Sequence, residues 1–436
     1  MSSPALIPNY EFYKNSNIHW VGLIPEHWQS YPLCSISKLK SISNNENEEL
    51  LSVYLDKGVI RFDDVEAKRT NATSTDLSKY QLVEPGDFVL NNQQAWRGSV
   101  GVSNYRGIVS PAYLVLLLSE EILPRFANYL FRDGSMVANY LVSSKGVGTI
   151  QRNLYWPQLK SALVFLPTKE EQTLIANFLD QKTAQIDKAI AIKEQQINLL
   201  KERKQIIIQQ AVTQGLDLNV PMKDSGVEWI GKIPAHWDVK RLKYVLEERN
   251  ERSKTGEEPL FMVSQVHGLV VRADYHDKAE VAASNVDNKI VYKNDLVFNK
   301  LKAHLGVFFK SNIEFQGLVS PDYAVYKCKA YVVDAKYLEL LFRHPSYIEQ
   351  FIIRATGIVE GLIRLYTGDL FALPIPVASE EEQLAILSYV EGQSRSHDQA
   401  IELQQSQIEK LKEYKTTLIN SAVTGKIKIT PEMVKQ

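Results

Sequence analysis

Two histidines and two aspartates stand where general acid–base chemistry would be sought. His27 and His236 sit beside Trp28 and Trp237, in segments that are otherwise alike. Asp87 and Asp295 each open a short apolar run, in GDFV and NDLV. A histidine near a carboxylate can move a proton. The local sequence favours structure instead: I-P-x-H-W reads as a packed turn, and an Asp at a strand entry bonds its own backbone. Asp63 and Asp64 read as loop polarity. Other catalytic signatures are missing. The chain has no G-x-x-x-x-G-K-S/T loop and no G-x-G-x-x-G after a strand. It has no Asn-Pro-Pro-Tyr type of run, as amino-methyltransferases use, and no pair of histidines at helical i, i+4 spacing. Cys34 and Cys328 form no C-x-x-C, so neither a disulfide scaffold nor a zinc site is expected, which suits a reducing cytoplasm. No secretory signal is visible at the N-terminus. No apolar run approaches the roughly 18 residues of a membrane span.

These residues recur because the chain is duplicated. Residues 16–28 read SNIHWVGLIPEHW and residues 225–237 read SGVEWIGKIPAHW, with seven of 13 positions identical at an offset of 209. VSPAY (109–113) returns as VSPDY (319–323), LPTKEEQ (166–172) inside IPVASEEEQ (375–383), and QQAVTQG (209–215) as NSAVTGK (420–426). Four landmarks in one order, at offsets of 209–211, mark duplicated domains, since solenoid repeats have periods of about 20–50 residues.

Each copy ends in a long helix. Residues 170–213 contain no Pro or Gly. A 4-3 spacing selects Ile186, Ile190, Lys193, Ile197, Leu200, Lys204, Ile207 and Ala211, a coiled-coil seam with polar interruptions. In residues 381–424 the matching seam is His397, Ile401, Gln404, Ile408, Leu411, Lys415, Leu418 and Ala422. A helix with so narrow a stripe needs a partner, and the two are expected to pair antiparallel. Between the helices, 29–166 and 238–376 read as mixed α/β, with short β-branched and aromatic runs and one helical patch each, 121–141 and 334–354. The predicted fold is therefore two copies of an α/β (mixed α+β) domain joined by two long antiparallel coiled-coil helices, pseudo-twofold and nearly cyclic. The copies match at their frame, as EPGDFVLNN (84–92) with YKNDLVFNK (292–300), and differ in the loops between. A shared frame with unlike loops suits two copies that bind two different targets.

Formal net charge is −1 over 436 residues, with 44% hydrophobic and 23% charged. That describes an ordinary globular protein, and it lacks the basic surplus usual in nucleic-acid binders. Charge is less even locally: residues 288–310 hold five lysines and one aspartate, and 143–160 hold Lys145, Arg152 and Lys160 with no acid.

Taken in order and twice over, W-I/V-G-x-I-P-x-H-W, the G/N-D strand entry, VSP-x-Y, and the E-E-Q entry to a helix ending in AVT resemble the specificity subunits of Type I restriction–modification enzymes. The resemblance covers nearly the whole chain. It implies a non-catalytic, cytoplasmic subunit in which each half reads one part of a bipartite, asymmetric target in double-stranded DNA. The implied division is a first target recognition domain at 1–166, a central conserved helix at 167–215, a second recognition domain at 216–376, and a distal conserved helix with the tail at 377–436. The helices would set the spacing of the half-sites and dock two modification (methyltransferase) subunits, with restriction/translocase subunits added. S-adenosylmethionine, ATP and Mg2+ would belong to those partners. The competing class is a coiled-coil scaffold or adaptor without a DNA role, which explains the helices but not the unlike polar loops.

Base edges are read by Arg and Lys at guanine and by Asn and Gln at adenine. On that ground the candidates in the first copy are Asn92, Gln93, Gln94 and Arg97, and in the second Lys300, Lys302 and His304. A second loop set precedes each long helix. It offers Lys145, Thr149, Gln151 and Arg152 in one copy, and Arg354, Thr356, Glu360 and Arg364 in the other. Lys57, Gln265 and His267 stand in further loops.

Overall fold

Short β-branched and aromatic runs bounded by turn residues become short strands, and each copy arranges them alike. The computed structural model describes residues 8–64, 76–147, 151–264, 267–275, 284–357 and 364–435. By its internal contacts the chain divides into two units, 1–193 with 406–436 and 194–405.

In the first unit a four-stranded antiparallel sheet runs in the order Ser37–Lys40, Tyr113–Leu118, Phe88–Asn91, Val100–Val102. Leu116 lies opposite Phe88 and Val115 opposite Val89. Alternate residues thereby face two sides. Phe88, Leu90 and Leu116 enter the main core, and Val89 and Val115 a second core beneath two smaller strand pairs. The helical patch expected at 121–141 is two helices, Pro124–Arg132 and Gly134–Val142. Asp133 breaks it: its backbone is extended, and its carboxylate accepts from Ser135 N to cap the second helix.

The second unit repeats the plan. Its sheet runs Leu246–Glu248, Tyr323–Cys328, Leu296–Asn299, Phe308–Lys310. The patch at 334–354 is again split, into Ala335–Leu341 and Pro345–Arg354, with Pro345 in the first turn of the second helix.

In each unit the segment between motif and long helix begins and ends at one place. Gln29–Pro32 pairs antiparallel with Leu163–Leu166, and Asp238–Arg241 with Pro374–Val377. The next residues open the long helices, Lys169–Gln214 and Glu380–Val423.

Within the first unit, residues 169–193 run antiparallel to 406–423. Asp187 bonds Lys415 at 2.7 Å, and Lys193 further on bonds Gln407 earlier in its partner. Ile186, Leu418 and Ala422 are buried in the core of that unit. Within the second unit Lys204 bonds Asp398 at 2.7 Å, while Ile208, Ala211 and Val212 share a core with Ile386 and Val390. All 16 seam positions named above are buried or half-buried. Asp187 and Asp398 are repeat equivalents, as are Lys204 and Lys415, so the duplication carries a matching ion pair into each unit.

The recurring motifs are joints. Trp28 and Trp237 are fully buried. His27 Nε2 lies 2.8 Å from Glu171 Oε2, and Trp28 Nε1 donates to Glu171 Oε1 at 3.2 Å. His236 and Trp237 contact Glu382 in the same way, each at 2.8 Å. The glutamine of E-E-Q is buried too. Gln172 accepts from Leu123 N at 2.8 Å and donates to the carbonyls of Glu121 and Pro167 at 3.0 and 3.1 Å. Gln383 accepts from Val333 N and donates to Tyr331 and Ala378. Gly215 and Gly425 end the helices at φ +77° and +74°, the left-handed conformation that suits glycine. A Cβ on Gly425 would stand 2.3 Å from Pro25 Cδ. Two segments distant in sequence meet inside the first unit, where Lys428 N donates to Pro8 O at 2.7 Å.

The recurring aspartates close their turns as expected. Asp87 accepts from Glu84 N at 2.8 Å and Asp295 from Tyr292 N at 2.9 Å. Each also holds a cation from the edge strand two places away in the sheet, Lys40 at the end of Ser37–Lys40 for Asp87 and Arg249 just past Leu246–Glu248 for Asp295. Burial raises the Asp295 carboxyl above its usual range, against the bonds from Arg249 and Tyr292 that lower it.

Candidate nucleic-acid interface

The two loop sets singled out in each half lie far apart in sequence, and the fold joins them through the main chain. In the first unit, Phe88–Asn91 ends in a turn that leads into a short helical turn, Ala95–Arg97. Asn91 Oδ1 accepts from Gln93 N at 3.1 Å to close it. Ser144–Val147 and Gln151–Leu154 form an antiparallel hairpin, with Lys145 opposite Asn153 and Gly146 opposite Arg152. Leu154 N donates to Asn92 O at 2.9 Å, tying hairpin to turn.

The second unit builds the same joint. Asn299 Oδ1 accepts from Leu301 N at 3.0 Å. Thr356 and Arg364 exchange backbone bonds at 2.9 and 2.8 Å, and Leu365 N donates to Lys300 O at 3.1 Å. The Thr356–Arg364 bridge is the repeat equivalent of Lys145–Asn153. The tyrosines of VSP-x-Y, Tyr113 and Tyr323, lie opposite Asn91 and Asn299 at the end of each sheet nearest these loops. Burial raises both phenols above their usual range.

Side chains on the two joints differ. In the first, Arg97 lies over the Trp96 ring at 4.6 Å, and Arg152 from the hairpin lies over the same ring at 5.7 Å. Lys145 lies 4.4 Å from the centre of the exposed Tyr155 ring. Gln93 is exposed and Gln94 half-buried. Among the described residues Asn92 Oδ1 is buried without a hydrogen-bond partner, so its carboxamide does not present both edges outward. In the second joint cations meet acids. Arg364 lies 3.4 Å from Asp322, and Lys300 3.9 Å from Glu248. Burial first, then Lys300, pushes the neighbouring Lys289 below its usual range despite Glu248. Lys302 is exposed, and Arg354 bonds the Gln350 side chain.

Thr149, Gln265 and Glu360 lie outside the described residues, and only the main chain is described for Gln151 and His304. Lys57 is exposed in a separate turn, and the His267 ring lies 4.8 Å from that of Tyr275, tilted by 36°. Sequence reasoning missed Trp96, Tyr155 and the exposed Tyr366. The signal for the tyrosines was present: N-L-Y and R-L-Y recur at an offset of 211. Asp322 also escaped notice, although it is where VSPDY departs from VSPAY.

Among the described residues no group of three or more His, Cys, Asp or Glu is placed to hold a metal ion. No described helix is long and apolar enough to cross a membrane. The arrangement offers hydrogen-bond donors, acceptors and aromatic faces on two like frames.

Comparison with known proteins agrees along the full length. The Type I restriction enzyme MjaVIII specificity subunit of Methanocaldococcus jannaschii is 23% identical over 96% of this chain and 98% of its own. The putative MjaX specificity subunit of the same organism is 25% identical with the same coverage. Along its full length the chain is thus similar to Type I restriction enzyme specificity subunits. The EcoKI specificity subunit of Escherichia coli is 22% identical over 74% of this chain and 73% of its own. The specificity-subunit fold is also seen in solved structures. A chain from a structure of a type I R-M system superposes with a TM-score of 0.63, at 15% identity, over 92% of this chain and 98% of that one. The HsdS subunit of Thermoanaerobacter tengcongensis superposes with a TM-score of 0.54, at 15% identity, over 93% and 98%. No family model matches the chain.

Proposed function

We propose that this chain is the non-catalytic DNA-specificity subunit of a Type I restriction–modification complex, in which each unit reads one half of a bipartite target. The observation that carries this reading is the repeated joint. Leu154 to Asn92 and Leu365 to Lys300 are the same backbone bond, and the side chains around them are unlike. One frame with two unlike sets of base-reading groups gives an asymmetric target. The paired entry and exit strands at 29–32 and 163–166 make each reader a replaceable insert. Near-zero net charge fits a subunit whose partners supply phosphate contacts, which dominate affinity. An adaptor role leaves the two unlike polar joints without a purpose.

The partners are two modification subunits seated on the long helices, together with restriction/translocase subunits. S-adenosylmethionine, ATP and Mg2+ belong to those partners. Candidate base-reading side chains are Gln93, Gln94, Arg97, Lys145 and Arg152 in the first unit, and Lys300, Lys302, Arg354, Thr356 and Arg364 in the second. Asn92, Thr149, Gln151, His304 and Glu360 complete the two sets. The test is an exchange of residues 29–166 for the corresponding segment of another family member, read by methylome sequencing. One half of the target changes and the other stays. Change in both halves, or no sequence preference in the wild-type complex, refutes the reading.

A further inference from the structure

The segments that precede the long helices have diverged at most positions. Aligned at an offset of 211, residues 145–155 and 356–366 share three of 11 positions: Gly146 with Gly357, Leu154 with Leu365, and Tyr155 with Tyr366. Packing accounts for the leucines, each buried in the core of its unit. The glycines carry no side chain. The tyrosines differ from both. Tyr155 is 48% exposed and Tyr366 50%, so burial does not account for their retention. Their main chains are held in the same way. Each follows the leucine whose N–H ties hairpin to turn, and each opens a short helix, Trp156–Leu159 or Thr367–Phe371. Tyr155 O accepts from Leu159 N, and Tyr366 O from Leu370 N, both at 3.0 Å. Any residue can make those backbone bonds, so they do not call for a phenol. Among the described residues neither phenol oxygen has a hydrogen-bond partner. Lys145 lies 4.4 Å from the centre of the Tyr155 ring, but its equivalent in the second unit is Thr356, so that contact is not what the two units share. What they share is an exposed phenol beside each joint.

A side chain kept while the base-reading candidates around it change does the same work at both half-sites. The part of duplex DNA that is the same in every sequence is its sugar–phosphate backbone, and a tyrosine hydroxyl is among the groups that bond phosphate oxygens. We infer that Tyr155 and Tyr366 are a matched pair of phosphate contacts, one at each half-site, that seat each joint on the duplex without reading a base. This rests on the DNA-specificity reading proposed above. The test uses the complete complex with its modification subunits and a set of duplexes in which each base pair of each half-site is changed in turn. Competition binding is measured on every duplex over a range of salt concentrations. Tyr155→Phe and Tyr366→Phe each remove one exposed hydroxyl and keep the ring, which leaves the packing as it is. Each weakens binding on the order of 10-fold, the loss of one hydrogen bond to a charged group, and by the same factor on every duplex. The salt slope stays that of the wild type, because a neutral phenol releases no counterion, whereas losing a cation from a phosphate lowers the slope by about 0.9. An effect confined to particular base pairs, or a changed salt slope, overturns the inference. So does a loss below about 2-fold in either variant, which is the size of an ordinary surface substitution. A wild-type complex with no base preference overturns the DNA reading itself.

Discussion

Replacing Gln172 by leucine tests whether the E-E-Q motif is a joint rather than a site. Leucine is close in size but makes none of the three bonds of Gln172, to Leu123 N, Glu121 O and Pro167 O. Glu121 is exposed, so water can take over its carbonyl. The Leu123 N–H and the Pro167 carbonyl have less access to solvent, and Pro167 is buried. A buried polar group left unpaired costs about 1–3 kcal/mol, so Gln172→Leu costs about 2–6 kcal/mol. For a unit of this size each kcal/mol lowers the Tm by about 2–4 °C. Differential scanning calorimetry of the full chain, with Gln383→Leu as the matching change in the second unit, reads the effect. Each substitution lowers the melting of its own unit by about 10 °C. A shift under about 2 °C for Gln172→Leu refutes the claim that this side chain holds the globular part of the first unit to its helix.

Three further outcomes follow from the same structure. Gly425→Ala, with φ +74° and a Cβ 2.3 Å from Pro25, destabilises by more than about 2 kcal/mol. Gly22→Ala, at φ +73° with nothing within 4 Å, costs only the left-handed penalty of about 1–2 kcal/mol; urea denaturation ranks the two. Charge reversal in the seam, Asp187→Lys, costs about 1 kcal/mol, and adding Lys415→Asp restores it, as a double-mutant cycle will show. Burial pushes the Cys328 thiol up to about 12. Native protein at pH 8 therefore reacts with a thiol reagent at the exposed Cys34 alone, and denatured protein at both. Because the folded thiol keeps its proton while the unfolded one loses it, Cys328 makes stability fall as pH rises above about 9, an effect that Cys328→Ala removes.

Recurrence made the frame legible. Trp28, His27 and the E-E-Q glutamate were each marked by reappearing in the second copy, at offsets of 209, 209 and 211, and they meet. The seam was legible because a 4-3 spacing is local. What stayed hidden was contact across sequence distance. His27 and Glu171 were both flagged, yet nothing in the order of residues says that they touch. The break in the helical patch was foreseeable from Asp133–Gly134 and His344–Pro345, each a helix stop and restart, but apolar periodicity continued across both. At the interface, the loop sets were found by composition. Their union around Trp96 was not, because a ring beside two arginines 55 residues apart leaves no local pattern. Asp322 and Ala112 show the same limit, since one variable letter in a shared motif carries a charge into one joint and not the other.

The bonds that tie hairpin to turn, Leu154 N–H to Asn92 O and Leu365 N–H to Lys300 O, run between main-chain atoms. Every amino acid except proline has that N–H, and every one has that carbonyl. The joint therefore places almost no demand on the identity of the residues it holds. On the DNA-reading role proposed above, point mutations there would change which bases are favoured while the scaffold stays intact. New specificities become accessible in single steps, without compensating changes elsewhere. For a host under pressure from invading DNA, such cheap retargeting is itself a selectable property.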